Sequence, residues 1–289
     1  MNSFQRLLPL AAAALLGPFA TTPAAAQSQA TAEDPSASWR PRAEADVRQG
    51  APFVIRVVVA LCDNALIDCG SELAGRPSSL RHNLYWGAIF GAQRFLERKR
   101  SQFTLLAVEQ PGSGILERRI YERTAPGKLW GLSPEKKVRQ VVVLDAVDGK
   151  AIDHAVDSFY HAATAGDAVV IPGGTTKRKV HVVGYVGHNR LMDGRRLPVA
   201  SRASSHATPS FVLACESDAY FSPGLKRAGS EPVVMTRALM APEGYVLAAV
   251  LRGLGDGKPR AEIRKGAVQA YANWQKLSYG AASWIFAKH

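Results

Sequence analysis

Residues 53–61 read FVIRVVVAL. Eight of these nine side chains are apolar, and most are β-branched. Such a run is too short for a membrane-spanning helix and lacks polar alternation. It marks a strand buried on both faces, as in a parallel sheet. Outward from it, comparable runs recur at residues 103–108, 140–144, 168–171, 180–186, 211–214 and 232–236. Helical patterns fall between them. Leu84, Ile89, Phe90, Phe95 and Leu96 predict an amphipathic helix over residues 83–98. Further helices are expected over 151–163, from Pro242 to about Leu251, and over 260–278, where Tyr271 and Trp274 read as core packing. Gly253 to Gly257 reads as a breaker between the last two. Apolar strands alternating with helices predict an α/β protein: a three-layer, mostly parallel open sheet with helices on both faces. No internal linker interrupts residues 51–289, which are expected to form a single domain.

The composition excludes several classes. With 47% hydrophobic residues, the 289-residue chain is not mainly disordered. Its 25 glycines follow no G-X-Y period, so it is not collagenous. Three cysteines are too few for a disulfide-knit miniprotein. The net charge of +12 does not by itself specify a partner.

Residues 1–26 read as a secretory signal peptide. Arg6 supplies the positive start, residues 7–20 the apolar stretch, and Ala24 and Ala26 the small-x-small site before Gln27. Removal of Arg6 leaves 35 basic against 24 acidic residues, a charge of +11. Residues 27–50, polar and rich in Ala and Ser, read as a flexible leader. No later segment is long and apolar enough to span a membrane. A periplasmic or extracellular location is expected. There, Cys62 and Cys69 in LCDNALIDCG are close enough in sequence to form a disulfide, which leaves Cys215 as the odd thiol.

In open α/β sheets, functional residues gather beyond the carboxyl ends of strands. After 53–61 come Cys62, Asp63 and Asn64; after 180–186 come Gly187, His188 and Asn189; after 211–214 come Cys215 and Glu216. If the last two strands are neighbours, His188 and Cys215 face one another. An imidazole beside a thiol takes its proton and leaves a nucleophilic thiolate. Backbone N–H groups around Gly187 would then stabilise an oxyanion.

The blocks VHVVGYVGHN (180–189) and FVLACES (211–217) resemble the signature blocks of caspase-like (clan CD) cysteine peptidases. Those blocks are an apolar strand ending in His-Gly and another ending in Ala-Cys or Gly-Cys. The stretch after Cys215 (ESDAYFSPGLKRAG, then EPVVMT, then a helix from Pro242) also resembles bacterial CHAT domains. In strand order the resemblance covers roughly residues 53–280. It implies a caspase-like fold, His188 as acid/base, Cys215 as nucleophile, and a peptide or protein substrate. Asn189 stands where the family has the glycine that lends its N–H to the oxyanion hole, and the His188–Cys215 spacing is shorter than the family's. The resemblance also places Asp63 near the pocket for the residue before the cleaved bond, where a carboxylate favours Arg or Lys. Asp63 is equally suited to turning the chain. Glu216 either faces that pocket or starts the next helix.

Other chemistries lack their patterns. His181, His188, Asp193 and His206 have no compact metal-ligand spacing, so no metal is expected. GxSxG, a P-loop and a dinucleotide fingerprint are absent, and no cofactor is expected. The basic runs Lys177-Arg178-Lys179 and Arg195-Arg196 have no interleaved aromatics, so no nucleic acid is expected. The competing functional reading is a catalytically inactive exported α/β module that binds a partner or a cell-envelope component.

Overall fold

A computed structural model describes residues 39–200 and 203–288. The expected signal peptide and residues 27–38 of the expected leader lie outside these. In chain order the elements are α1 (Arg40–Arg48), β1 (Phe53–Ala60), α2 (Ala92–Leu96), β2 (Thr104–Glu109), β3 (Ile115–Pro126), β4 (Lys137–Val147), α3 (Ile152–Ala165), β5 (Ala168–Val170), β6 (Lys177–Lys179), β7 (Val182–Val186), β8 (Ser210–Leu213), α4 (Ser217–Tyr220), α5 (Ser222–Arg227), β9 (Pro232–Val234), α6 (Gly244–Gly255), α7 (Arg260–Gln275) and α8 (Tyr279–Ile285). No helix among the described residues is long and apolar enough to cross a membrane.

Seven strands form the main sheet, in the order β2-β3-β4-β1-β7-β8-β9. The β4-β1-β7-β8-β9 portion is parallel, and β2 and β3 extend it antiparallel at one edge. Numbered along the chain, the parallel strands run 2-1-3-4-5, so the winding reverses between β1 and β7. Ligands of doubly wound sheets bind beyond the carboxyl ends at such a reversal.

β1 shows why the sheet is covered twice. Phe53, Ile55, Val57, Val59 and Leu61 pack in one apolar cluster with α1, α6, α7 and α8. Val54, Val58 and Ala60 pack in the other with α3 and α5. This is the two-residue period of a strand buried on both faces. Its one charged residue, Arg56, is matched by Asp145 at 2.9 Å, Asp167 at 2.7 Å and Ser158 at 3.2 Å. Asp145, fully buried on β4, also accepts from Arg118 of β3 at 2.6 and 3.0 Å. Burial of these charges is compensated by pairing within one network.

Several sequence expectations are corrected. The leader read over 27–50 ends in ordered structure: α1 is helical, and buried Trp39 meets Phe53 and Trp130 at ring separations of 6.0 and 5.9 Å. Of residues 83–98 only Ala92–Leu96 is α-helical. Buried Asn83 accepts from the backbone N–H of Cys62 and of Tyr85, and its carbonyl accepts from both Trp86 and Ala88. These bonds hold irregular turns in place of a helix. Residues 168–171 do not join the main sheet. β5 pairs only with β6, because Ala168 and Val170 point to solvent. α6 continues through the expected breaker to Gly255, where a side chain would collide with Gln140. β3 and α8 were not expected from the sequence.

Candidate functional site

β7 and β8 are parallel neighbours, in register from Val183 with Ser210 to Val186 with Leu213. Their carboxyl ends therefore lie side by side, and His188 and Cys215 line the same cleft of about 590 Å³. Its other walls come from the disulfide loop (Ile67, Asp68), from Leu84 and Tyr85, from residues 239–243, and from Tyr271 of α7.

The turn after β8 is tightly braced. Cys215 is followed by Glu216 in the left-handed region, at φ 47° and ψ 31°. A non-glycine residue adopts this conformation at a cost, so surrounding bonds must fix it. The Ser217 hydroxyl donates to the Val212 carbonyl at 2.9 Å, and the Thr236 N–H donates to that hydroxyl at 2.9 Å. The Thr236 hydroxyl donates to the Ala214 carbonyl. The Glu216 N–H donates to Ala238 at 3.0 Å. The half-buried Cys215 Sγ lies 3.4 Å from the Met240 N–H and 3.5 Å from the Met240 carbonyl. One extended segment after β9 thus holds both the strained turn and the sulfur.

The turn after β7 carries the histidine. Gly187 has φ 149°, and a side chain there would press on the Ala60 carbonyl at the end of β1. Its N–H is taken by the Leu213 carbonyl at 3.2 Å, within the β7–β8 contact, which removes it as an oxyanion donor. Asn189 is fully buried, and its side chain donates to the Cys215 carbonyl at 2.6 Å and accepts from the Leu191 N–H at 3.1 Å. Among the described residues, the backbone N–H groups of Asn189 and Cys215 donate to no acceptor. The His188 carbonyl accepts from the Tyr185 hydroxyl at 2.8 Å, and its ring Nε2 lies 2.6 Å from Asp193 Oδ2.

The remaining sequence candidates separate. Asp63 does not line the cleft. Its carboxylate accepts from the Ala65 N–H at 2.9 Å, turning the chain. The acids on the cleft are Asp68 and Glu243. Glu216 is likewise not on the cleft and acts through its backbone at the start of α4. Cys62 and Cys69 are bridged. His181 sits at the opposite end of β7 from His188; it accepts from the Val54 N–H at 3.0 Å and meets Asp46 at 3.1 Å. Among the described residues no group of three or more His, Cys, Asp or Glu could hold a metal.

Burial sets the electrostatics of the cleft. It pushes the Glu243 carboxyl above its ordinary 4.5, against the pull of hydrogen bonds from Tyr245 and Gln275. It also pushes the Tyr85 phenol up, with the charges of Cys215 and Glu243 adding to the effect, and the Tyr271 phenol up in the same way. Both tyrosines are therefore neutral walls near pH 7.

Asp68, Asp193, Glu243 and Tyr271 are site residues that the sequence reading did not assign. Asp68 lies in the disulfide loop, Glu243 just before α6 and Tyr271 on α7, none of them at a strand end. Asp193 alone was close to a motif.

Comparison with family models, with curated proteins and with solved structures gave no match.

Proposed function

We propose that this protein is an exported, caspase-like cysteine hydrolase acting on peptide bonds, with Cys215 as nucleophile and His188 as acid and base. The observation that carries the reading is the adjacency of β7 and β8, whose carboxyl ends deliver both residues into one cleft. The strained, braced turn after Cys215 adds support, since strain of this kind concentrates at functional sites. The Cys62–Cys69 bridge supports an oxidising compartment.

In the proposed reaction the Cys215 sulfur attacks the carbonyl carbon as its proton passes to His188. The oxyanion accepts from the backbone N–H of Cys215, a residue that lines the cleft and whose N–H donates to no acceptor among the described residues. The C–N bond breaks as His188 returns the proton to the leaving nitrogen. Water, deprotonated by His188, then hydrolyses the thioester and the thiol re-forms. Glu243 and Asp68 favour a substrate side chain with a cationic end, Arg or Lys, whose aliphatic stem packs on Ile67 and Leu84. The half-buried Glu243 gains most from such a partner, because the cation offsets its desolvation.

The test is labelling of the full chain by a thiol-reactive Lys- or Arg-peptide probe. The wild type is expected to label rapidly, Cys215→Ala not at all, and His188→Ala about 100-fold more slowly. Equal labelling of wild type and His188→Ala would overturn the reading. It would favour a binding module, for which the exposed Trp274, Leu277, Tyr279 and Trp284 are the suited surface.

A further inference from the structure

The His188 ring is held from behind the cleft. Asp193, whose Oδ2 lies 2.6 Å from His188 Nε2, does not itself line the cleft. That carboxylate is fixed in turn. Arg190 Nη1 donates to the same oxygen at 3.2 Å, and Arg190 Nε reaches Asp153 of α3 at 3.1 Å. The main chain between the two residues is locked as well. The Met192 N–H donates to Asn189 at 3.0 Å, and the Gly194 N–H donates to Leu191 at 3.2 Å. The His188 side chain is 12% exposed and that of Asp193 33%, so the pair is more shielded than an ordinary surface ion pair.

We propose that Asp193 is a positioning residue that makes the Cys–His pair a three-membered relay. The inference rests on the function proposed above. Asp193 accepts a hydrogen bond from the Nε2–H, which fixes the tautomer and leaves the Nδ1 lone pair as the ring's proton acceptor. The proton that leaves the Cys215 sulfur goes to Nδ1, and the electron pair stays on sulfur. Asp193 remains an anion throughout and stabilises the imidazolium that forms. The charged groups around this ring are Asp193, Arg190 and Asp153, while Tyr85, Tyr271 and Glu243 stand on the Cys215 side of the cleft. Arg190 divides its charge between two carboxylates, so the cluster keeps one net negative charge behind the ring.

The experiment measures the rate of Cys215 alkylation by iodoacetamide against pH in the full chain. It needs no knowledge of the substrate. Four variants are compared with the wild type: His188→Ala, Asp193→Asn, Asp193→Glu and Arg190→Gln. Asp193→Asn is expected to slow alkylation about tenfold near pH 6 and to move its rise to more alkaline pH. Asp193→Glu is expected to recover part of the loss. Arg190→Gln both loosens the carboxylate and removes a cation that offsets it, so it is expected to move the rate away from wild type through Asp193; it carries the test if Asp193→Asn does not fold. If His188→Ala slows the reaction and the Asp193 and Arg190 variants match the wild type, the positioning role is overturned and the Cys–His reading stands. If His188→Ala also matches the wild type, the Cys–His reading itself fails. Further slowing when Asp193→Asn is added to His188→Ala, in a fifth, double variant, would likewise overturn action through His188.

Discussion

The side chain of Asn189 donates to the Cys215 carbonyl at 2.6 Å, so the turn after β7 is tied directly to the turn after β8. Its other end accepts from Leu191, so one buried amide sets both the spacing of the strand ends and the course of the histidine loop. Asn189→Ala is expected to cost about 1–3 kcal/mol, measured by urea denaturation, because the Cys215 carbonyl loses its donor. Probe labelling is expected to fall more steeply than stability. Asn189→Asp, of the same shape but lacking the donor, is expected to do no better. An Asn189→Ala protein with unchanged labelling would show that the tie does not position the thiol.

Glu216 adopts φ 47° with no hydrogen bond capping α4 through its side chain. Glu216→Gly is therefore expected to raise stability by about 0.5–1 kcal/mol, since glycine adopts the left-handed conformation without penalty. Labelling of Cys215 is expected to be unaffected. A thermal melt that moves downward would mean that the glutamate side chain makes a stabilising contact.

The Cys62–Cys69 bridge closes the loop that carries Ile67 and Asp68 into the cleft. Replacing both cysteines by serine is expected to lower stability by about 2–3 kcal/mol through the freed unfolded chain. KM is expected to rise while kcat changes little, because the loop forms a wall and holds no reacting group. A selective loss of kcat would contradict this division.

Burial holds the His181 imidazole below its ordinary 6.5, partly opposed by the hydrogen bond and charge of Asp46. The unfolded chain consequently binds this proton more readily than the folded one. Above 6.5 the ring is neutral in both states and adds no pH dependence. As pH falls below 6.5 the unfolded state gains a proton first, and stability drops until the folded ring titrates too. Urea denaturation at about pH 7.5 and about pH 5.5 is expected to show a smaller loss in His181→Gln than in wild type. Equal losses would place the proton uptake elsewhere.

Glu243 is half-buried in the cleft, and Gln275 donates to its carboxylate at 3.2 Å. Glu243→Gln is expected to raise KM for Arg and Lys peptides about tenfold with little change in kcat. Asp68→Asn is expected to do less, since Asp68 is exposed and already accepts from the Gly70 N–H at 2.7 Å. Equal use of basic and neutral peptides by the wild type would remove the assignment.

The parallel core was legible because β1, β4 and β7 are dense in β-branched residues and β8 lies on an apolar run, and a strand buried on both faces needs little else. β3 was hidden by its own charges. Arg118, Arg119 and Arg123 break any apolar run there, yet each meets an acid from elsewhere in the chain: Asp145, Glu97 and Asp256. The apolar spacing over 83–98 was only partly reflected: Leu84, Phe90 and Phe95 pack on the core but Ile89 is exposed, because turns anchored on Asn83 replace the helix before α2. That His188 and Cys215 follow neighbouring strand ends and share one cleft was legible from the strand endings. Asp63 was misplaced because the strand end it follows turns away at once, through its own carboxylate. Asp68, Glu243 and Tyr271 reach the cleft only through long-range packing, which a local pattern does not record.

The cleft is assembled from segments that the chain supplies at widely separated times. Ile67 and Tyr85 precede most of the sheet, whereas Glu243 and Tyr271 follow Cys215 and come with or after the helices that cover the second face. The segment that follows β9 supplies Thr236, which braces the turn after Cys215, and Met240, which meets the sulfur. The cleft is therefore complete only when the last third of the chain, residues 239–243 and α7, is in place against the first.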